Sequence, residues 1–144
     1  GGGIYTSAAE AAAKVGGKII GVDVDQAGII DGDYGEGMTV TSAMKGLAPT
    51  VKHLLSEVVA GNFANYGGKI ETLGLVSADD PEANYVQIPM GEGTQWSDSF
   101  TQDDYKAMVA DMYNGVITVS NDISKAASDF ATVITVDDQG AIKG

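Results

Sequence analysis

The sequence predicts an α/β fold, and three observations carry that reading. The stretch Lys18–Gln26 reads Lys-Ile-Ile-Gly-Val-Asp-Val-Asp-Gln. It is apolar where a strand is enclosed by a parallel sheet and acidic where it emerges at the sheet's carboxyl edge, the edge at which open α/β sheets bind ligands. Apolar residues at helical spacing, Leu47, Val51, Leu54, Leu55 and Val58, mark an amphipathic helix that would pack on that sheet. Short, glycine-punctuated connections separate such helices from short apolar runs, as in α/β units. At 144 residues the chain is expected to form one domain, 1–144, with a core of its own.

The elements follow in order. Gly1 to Thr6 reads as a glycine-rich turn. Ser7 and Glu10 have capping-box spacing ahead of an Ala-rich helix that reaches Val15, where Gly16-Gly17 stop it. The strand Lys18–Val24 comes next. Asp31–Gly37 holds three glycines and three acids and predicts a loop. Met38–Thr41 predicts a short strand, with Ser42 opening a turn toward Lys45. A helix is expected from Pro49, which suits a first turn, to Ala60, ended by Gly61. Ile70–Val76 predicts a second buried strand and Tyr85–Ile88 a third, separated by a polar loop. Thr101-Gln102-Asp103-Asp104 starts a helix whose acidic first turn suits the macrodipole, with Tyr105, Met108, Val109 and Met112 as its buried stripe. After Gly115, Val116–Val119 predicts a strand and Asp122–Phe130 a short helix. Residues 132–136 and 141–143 predict a small hairpin.

Composition narrows the function classes. Twenty acidic residues against 8 basic ones give a net charge of −12. Such a surface repels a phosphate backbone and an anionic membrane, which argues against nucleic acid as a partner. With no cysteine in the chain, disulfides, thiolate metal sites and thiol nucleophiles are excluded. No stretch reaches the roughly 18–20 apolar residues of a membrane span. The opening Gly1-Gly2-Gly3, with neither an initiator Met nor a signal peptide, is expected of a processed product or an excised piece.

The chemistry centres on few residues. In a strand, Asp23 and Asp25 point the same way. As a catalytic pair they lack partners: there is no G-x-S-x-G and no second histidine beside His53. An EF-hand count from Asp23 places Asp25 at position 3 but Tyr34 at position 12, where a bidentate Glu is needed. An irregular cation site at Asp31–Glu36 competes with a plain solvated acidic loop, which is preferred, so no metal and no cofactor is expected. The opening glycines ahead of a helix could cradle an anion, yet match no phosphate-binding motif. Lys45, near the same sheet edge as Asp23, supplies a cation, and the two together suit a polyhydroxylated ligand.

The run Ile20-Gly21-Val22-Asp23-Val24-Asp25-Gln26 followed by Thr41-Ser42-Ala43-Met44-Lys45 resembles the paired signature of the basic membrane protein family, bacterial substrate-binding lipoproteins of the purine-nucleoside receptor type. The opening Gly-Gly with Glu10-Ala11-Ala12, then Leu73-Gly74-Leu75 and Asn114–Val119, resemble the rest of its course more weakly. The likeness runs to about Val119 and to the C-terminal half of a family member, whose length is about twice this one. It implies one lobe of a type I periplasmic-binding-protein fold, a mostly parallel sheet flanked by helices, with ligand trapped between lobes. It also implies that Asp23 and Lys45 bind ribose hydroxyls, that Gly2 offers a backbone contact, and that Asp25 shapes the loop.

The implied function is nucleoside capture for an ABC importer by cleft closure, with no catalytic residue and no cofactor. The full-length parent would engage an ABC permease and be extracytoplasmic, lipid-anchored to the cell membrane or periplasmic. Two alternatives stand beside it: a sensor or regulatory domain of the same family, and an α/β enzyme domain using Asp23 and Asp25. Residues 120–144 extend past the family's usual end and carry no assigned role. An open half-sheet is further expected to self-associate through its unpaired edge.

Overall fold

The chain turns into helix at once. The computed structural model describes residues 2–131, 133–138 and 140. A 3-10 turn, Gly2–Ile4, runs directly into helix α1, Tyr5–Lys14. The helix therefore starts ahead of the expected Ser7–Glu10 capping box, and Ile4 fills the N-cap position without a side-chain hydrogen bond. The preceding 3-10 turn tightens that end instead.

Strand β1, Ile19–Asp23, lies where the sequence places it. It runs parallel to β2, Thr39–Lys45, and β2 pairs antiparallel with the two-residue β3, Val86–Gln87. The order β1-β2-β3 makes a small mixed sheet whose longer ladder is parallel. The fold is thus α/β, with four α-helices and a three-stranded sheet among the described residues. Register slips once: Ile19 faces Thr39 and Ile20 faces Thr41, so Val40 is an extra residue in β2. The Val40 carbonyl accepts the Gln95 amide at 2.8 Å, which binds the loop after β3 to the sheet.

Three expectations are corrected around this sheet. The glycine- and acid-rich run is not a loop from Asp31 on: Ala27–Tyr34 forms helix α2, the crossover between β1 and β2. Burial of Ile30, fully enclosed, and the Asp25 carboxylate accepting the Ala27 amide at 3.1 Å outweigh the low helix propensity of Gly28 and Gly32. Ser42 and Lys45 belong to β2 and not to a turn after it. The expected strand Ile70–Val76 has no regular pairing, and Ile70 is wholly exposed. Its place beside β2 is taken by β3 at Met44 and Lys45 and by Gln95 at Val40. Its end is held by a side chain: Asn84 Oδ1 accepts the amides of Val76 at 2.6 Å and Ser77 at 2.8 Å.

Helix α3, Leu47–Val59, follows β2 after the single residue Gly46. The helix is real, but its expected packing on the sheet is not found. None of its residues is fully buried. Its aromatic neighbours come from outside the sheet face: His53 meets the rings of Tyr66 and Tyr85 edge-on at 5.6 and 6.5 Å. Helix α4, Gln102–Tyr113, starts where its acidic first turn predicts, with a complete capping box between Thr101 and Asp104. Tyr105 and Val109 are its buried residues, and Met108 and Met112 are half-buried. Beyond Gly115, residues 116–119 form no strand, and 122–130 give only the 3-10 turn Ala127–Asp129. These segments are exposed and bring no apolar face to a partner. Residue 132 and the second arm, 141–143, of the expected hairpin lie outside the described residues, and 133–138 hold no strand.

The two sheet faces differ sharply. Gly21, Thr39 and Ser42 are buried on the side of α1 and α2, together with Ala9 and Ile30. On the other side Ile20 is 62% exposed and Val22 38%, beside exposed Ala43.

Asp31 ties the end of α2 to the start of β2. Its carboxylate accepts the amides of Gly37 at 3.0 Å and Thr39 at 2.8 Å. Partial burial pushes its pKa up, but the donors of Thr39 and Gly37 outweigh that and hold it below the ordinary 3.8. A depressed folded-state pKa stabilises above the unfolded value, and that stabilisation is lost as pH falls through the folded value. Wild type should therefore lose more thermal stability than Asp31→Asn between pH 6 and pH 3, by far-UV circular dichroism. Equal losses would show that Asp31 is not an acid-labile tie.

Candidate functional site

The carboxyl end of β1 is built on a buried polar cross-link. Gly21 faces Ser42 across the ladder, and a Cβ on Gly21 would lie 2.5 Å from Ser42 Oγ and 3.0 Å from the Gln26 side chain. Ser42 is fully buried, and its Oγ accepts the Gln26 amide at 3.0 Å. The Gln26 side chain folds back, its Oε1 accepting the Val22 amide at 2.8 Å. The two side chains thereby satisfy the amides of Val22 and Gln26, which the strand end would otherwise leave unpaired. The glycine, the glutamine and the serine of the two sequence runs thus share one local task. They fix the path of the loop Asp23–Asp25 over the end of the sheet.

That path is strained at one residue. Asp23 has φ +73°, the only positive φ of a non-glycine residue among those described. The Val24 amide donates to the Val22 carbonyl at 2.9 Å across it. A bond from residue i+2 to i around a positive φ is the rarer, strained form of the γ-turn. The turn ends β1 at Asp23, so the alternation that would place Asp23 and Asp25 side by side does not continue.

The turn carries the Asp23 carboxylate to Lys45, at the end of the neighbouring strand. Lys45 Nζ lies 2.7 Å from Asp23 Oδ1, with the lysine side chain 67% exposed and the aspartate 29%. The hydrogen bond from Lys45 holds the Asp23 carboxyl below its ordinary value, against an opposing contribution from desolvation. An ion pair this open to water adds little to stability. Chemically it offers an ionised acceptor and a three-proton donor side by side, a pair suited to hydroxyl groups. A carboxylate held ionised in this way is a poor proton donor near neutral pH.

Asp25 has different partners. Its Oδ1 accepts the Ala27 amide, and its carboxylate abuts Gly93 so closely that a side chain there would collide with it. Around Gly93 the loop is latched to the sheet. Thr94 and Thr41 share a hydroxyl–hydroxyl bond of 2.8 Å, and Gln95 Nε2 donates to the carbonyls of Gly37 and Thr39. Lys18 Nζ donates to Gln95 Oε1 at 2.7 Å. The sole tryptophan, Trp96, follows and stacks on Phe100.

Of the residues expected from sequence, Asp23 and Lys45 are brought together. Gly2 opens the N-terminal 3-10 turn, and no side-chain hydrogen bond among the described residues links it to that pair. Sequence reasoning passed over Gln26, Ser42 and Gly93 as site-shaping residues. The signal for the first two lay in the runs themselves, a polar residue at a buried strand position facing a glycine. Among the described residues no group of three or more His, Asp or Glu side chains is placed to hold a metal ion. No described helix is long and apolar enough to cross a membrane. Searches of protein-family models, of curated proteins and of solved structures find no match to this chain.

Proposed function

We propose that this chain is a ligand-binding α/β unit of a nucleoside-capturing, substrate-binding protein, resembling one lobe of a type I periplasmic-binding-protein fold and acting by capture without catalysis. The observation that carries the reading is the Asp23–Lys45 pair at the ends of two adjacent parallel strands. It lies at the edge where α/β sheets take ligands, and it is held by a strained turn on a buried polar cross-link. The carboxylate accepts from, and the ammonium donates to, neighbouring hydroxyls such as those of a ribose. In this reading a longer parent is extracytoplasmic, lipid-anchored or periplasmic, and delivers its nucleoside to an ABC permease.

Isothermal titration calorimetry of the chain with inosine, adenosine, uridine and free ribose tests the proposal. At least one nucleoside should bind, and Asp23→Ala should weaken it on the order of tenfold or more, the effect of removing a hydrogen bond to a charged group. Because the pair adds little to stability, the variant should keep the wild-type circular dichroism spectrum. No nucleoside binding at millimolar concentration, or equal affinity in both proteins, would overturn the reading.

A further inference from the structure

We infer that the bare face of the sheet is an interface for a second copy of this chain, whose helix α3 docks on it while the first copy's α3 docks reciprocally. Both halves of such an interface are present on one chain and unpartnered among the described residues. On the sheet, Ile20 is 62% exposed and Val22 38%, beside exposed Ala43. On the helix, Leu47 is 53% exposed, Val51 56%, Leu55 59% and Val59 88%. A helix stripe with no sheet and a sheet face with no helix are the two components that α/β folds bury against each other.

The area reaches what a standard interface needs. From these fractions the exposed surface of the six large apolar residues comes to roughly 600–650 Å² per copy, at the lower end of the about 600–1,000 Å² per partner of a stable interface. The charge pattern agrees. The whole chain carries −12, yet β1, β2 and α3 together hold only two acids, Asp23 and Glu57, against Lys45 and Lys52. An acidic chain has thus kept its acids off these two faces, so the general repulsion between copies is weakest where they would meet. Leu54 and Val58 differ from their neighbours: they line a groove of about 320 Å³ with Phe63, Tyr66 and Leu73 of their own chain, and are left out of the interface.

The mode differs from edge-to-edge strand pairing, and the chain's lack of cysteine makes the difference measurable. Sedimentation at high micromolar concentration should give a dimer, and Val22→Lys should shift it to monomer without loss of secondary structure. Ala43→Cys and Leu55→Cys variants, prepared separately and mixed under mild oxidation, should form a mixed disulfide dimer well beyond either variant alone. A monomeric wild type would overturn the inference. So would cross-linking confined to like pairs, which would report edge pairing or helix-on-helix contact. Failure of nucleoside binding would leave this result untouched, since no residue of the ion pair is altered.

Discussion

Asn84→Ala is expected to cost roughly 3–5 kcal/mol of folding stability, the largest single effect in the chain. Asn84 is fully buried in a segment without regular structure. Its Oδ1 takes the Val76 and Ser77 amides, and its Nδ2 donates to the Ser77 carbonyl at 3.1 Å. Its own carbonyl accepts from Gln87 Nε2 of β3 at 2.6 Å. Truncation orphans two amides and a carbonyl in a part-buried setting, each at the lower end of the roughly 1–3 kcal/mol that an unpaired buried group costs. In a urea titration the midpoint should fall with little change in slope. Hydrogen exchange should show loss of protection at Val76 and Ser77 before any other change. A loss below about 1 kcal/mol would mean that these amides find water or other partners, and that the side chain is not what holds segment 74–77.

Gly46→Ala is expected to follow, at about 2–3 kcal/mol, by overpacking. Gly46 is the one residue between β2 and α3, and its amide donates to the Tyr85 carbonyl at 2.8 Å. A Cβ there would overlap the Asn84 carbonyl oxygen and come within 2.9 Å of the Tyr85 Cα. Both obstacles are backbone and cannot rotate away. The β2–β3 pairing must open or α3 must tilt. The same urea titration measures the cost, and loss of exchange protection at the Gly46 amide locates it. An unchanged midpoint would show that the β2–α3 corner has room that its packing does not suggest.

Strand β1, helix α3 and helix α4 were legible because each is specified locally: an aliphatic run, a helical spacing, an acidic first turn after Thr101. Helix α2 was not, because glycines and acids dominate its composition. What decides it is the enclosure of Ile30 and the partners of Asp25 and Asp31, which exist only once the sheet is formed. Ile70–Val76 failed in the opposite sense. Its pattern is that of a strand, but a strand needs a free neighbouring edge, and β3 and Gln95 had taken the one on β2. At the site, Asp23 and Lys45 could be named from their positions at the ends of apolar runs. Their meeting at 2.7 Å depends on the positive φ of Asp23, which no residue type announces. Asn84 sat in a stretch that reads only as polar loop, and nothing nearby signals that its side chain would replace a strand partner.

The backbone at Asp23 has a consequence for any attempt to redesign the chain. A left-handed position in a tight turn is one where glycine sits without steric cost, and its ion pair is too exposed to offset the strain. A procedure that optimises folding alone would therefore choose glycine at position 23, and the stabilised product would have Lys45 without a counter-charge. Thermostability and the presence of the acid would trade against each other at that one codon. A library selected for heat resistance and a library selected for ligand retention should diverge there first.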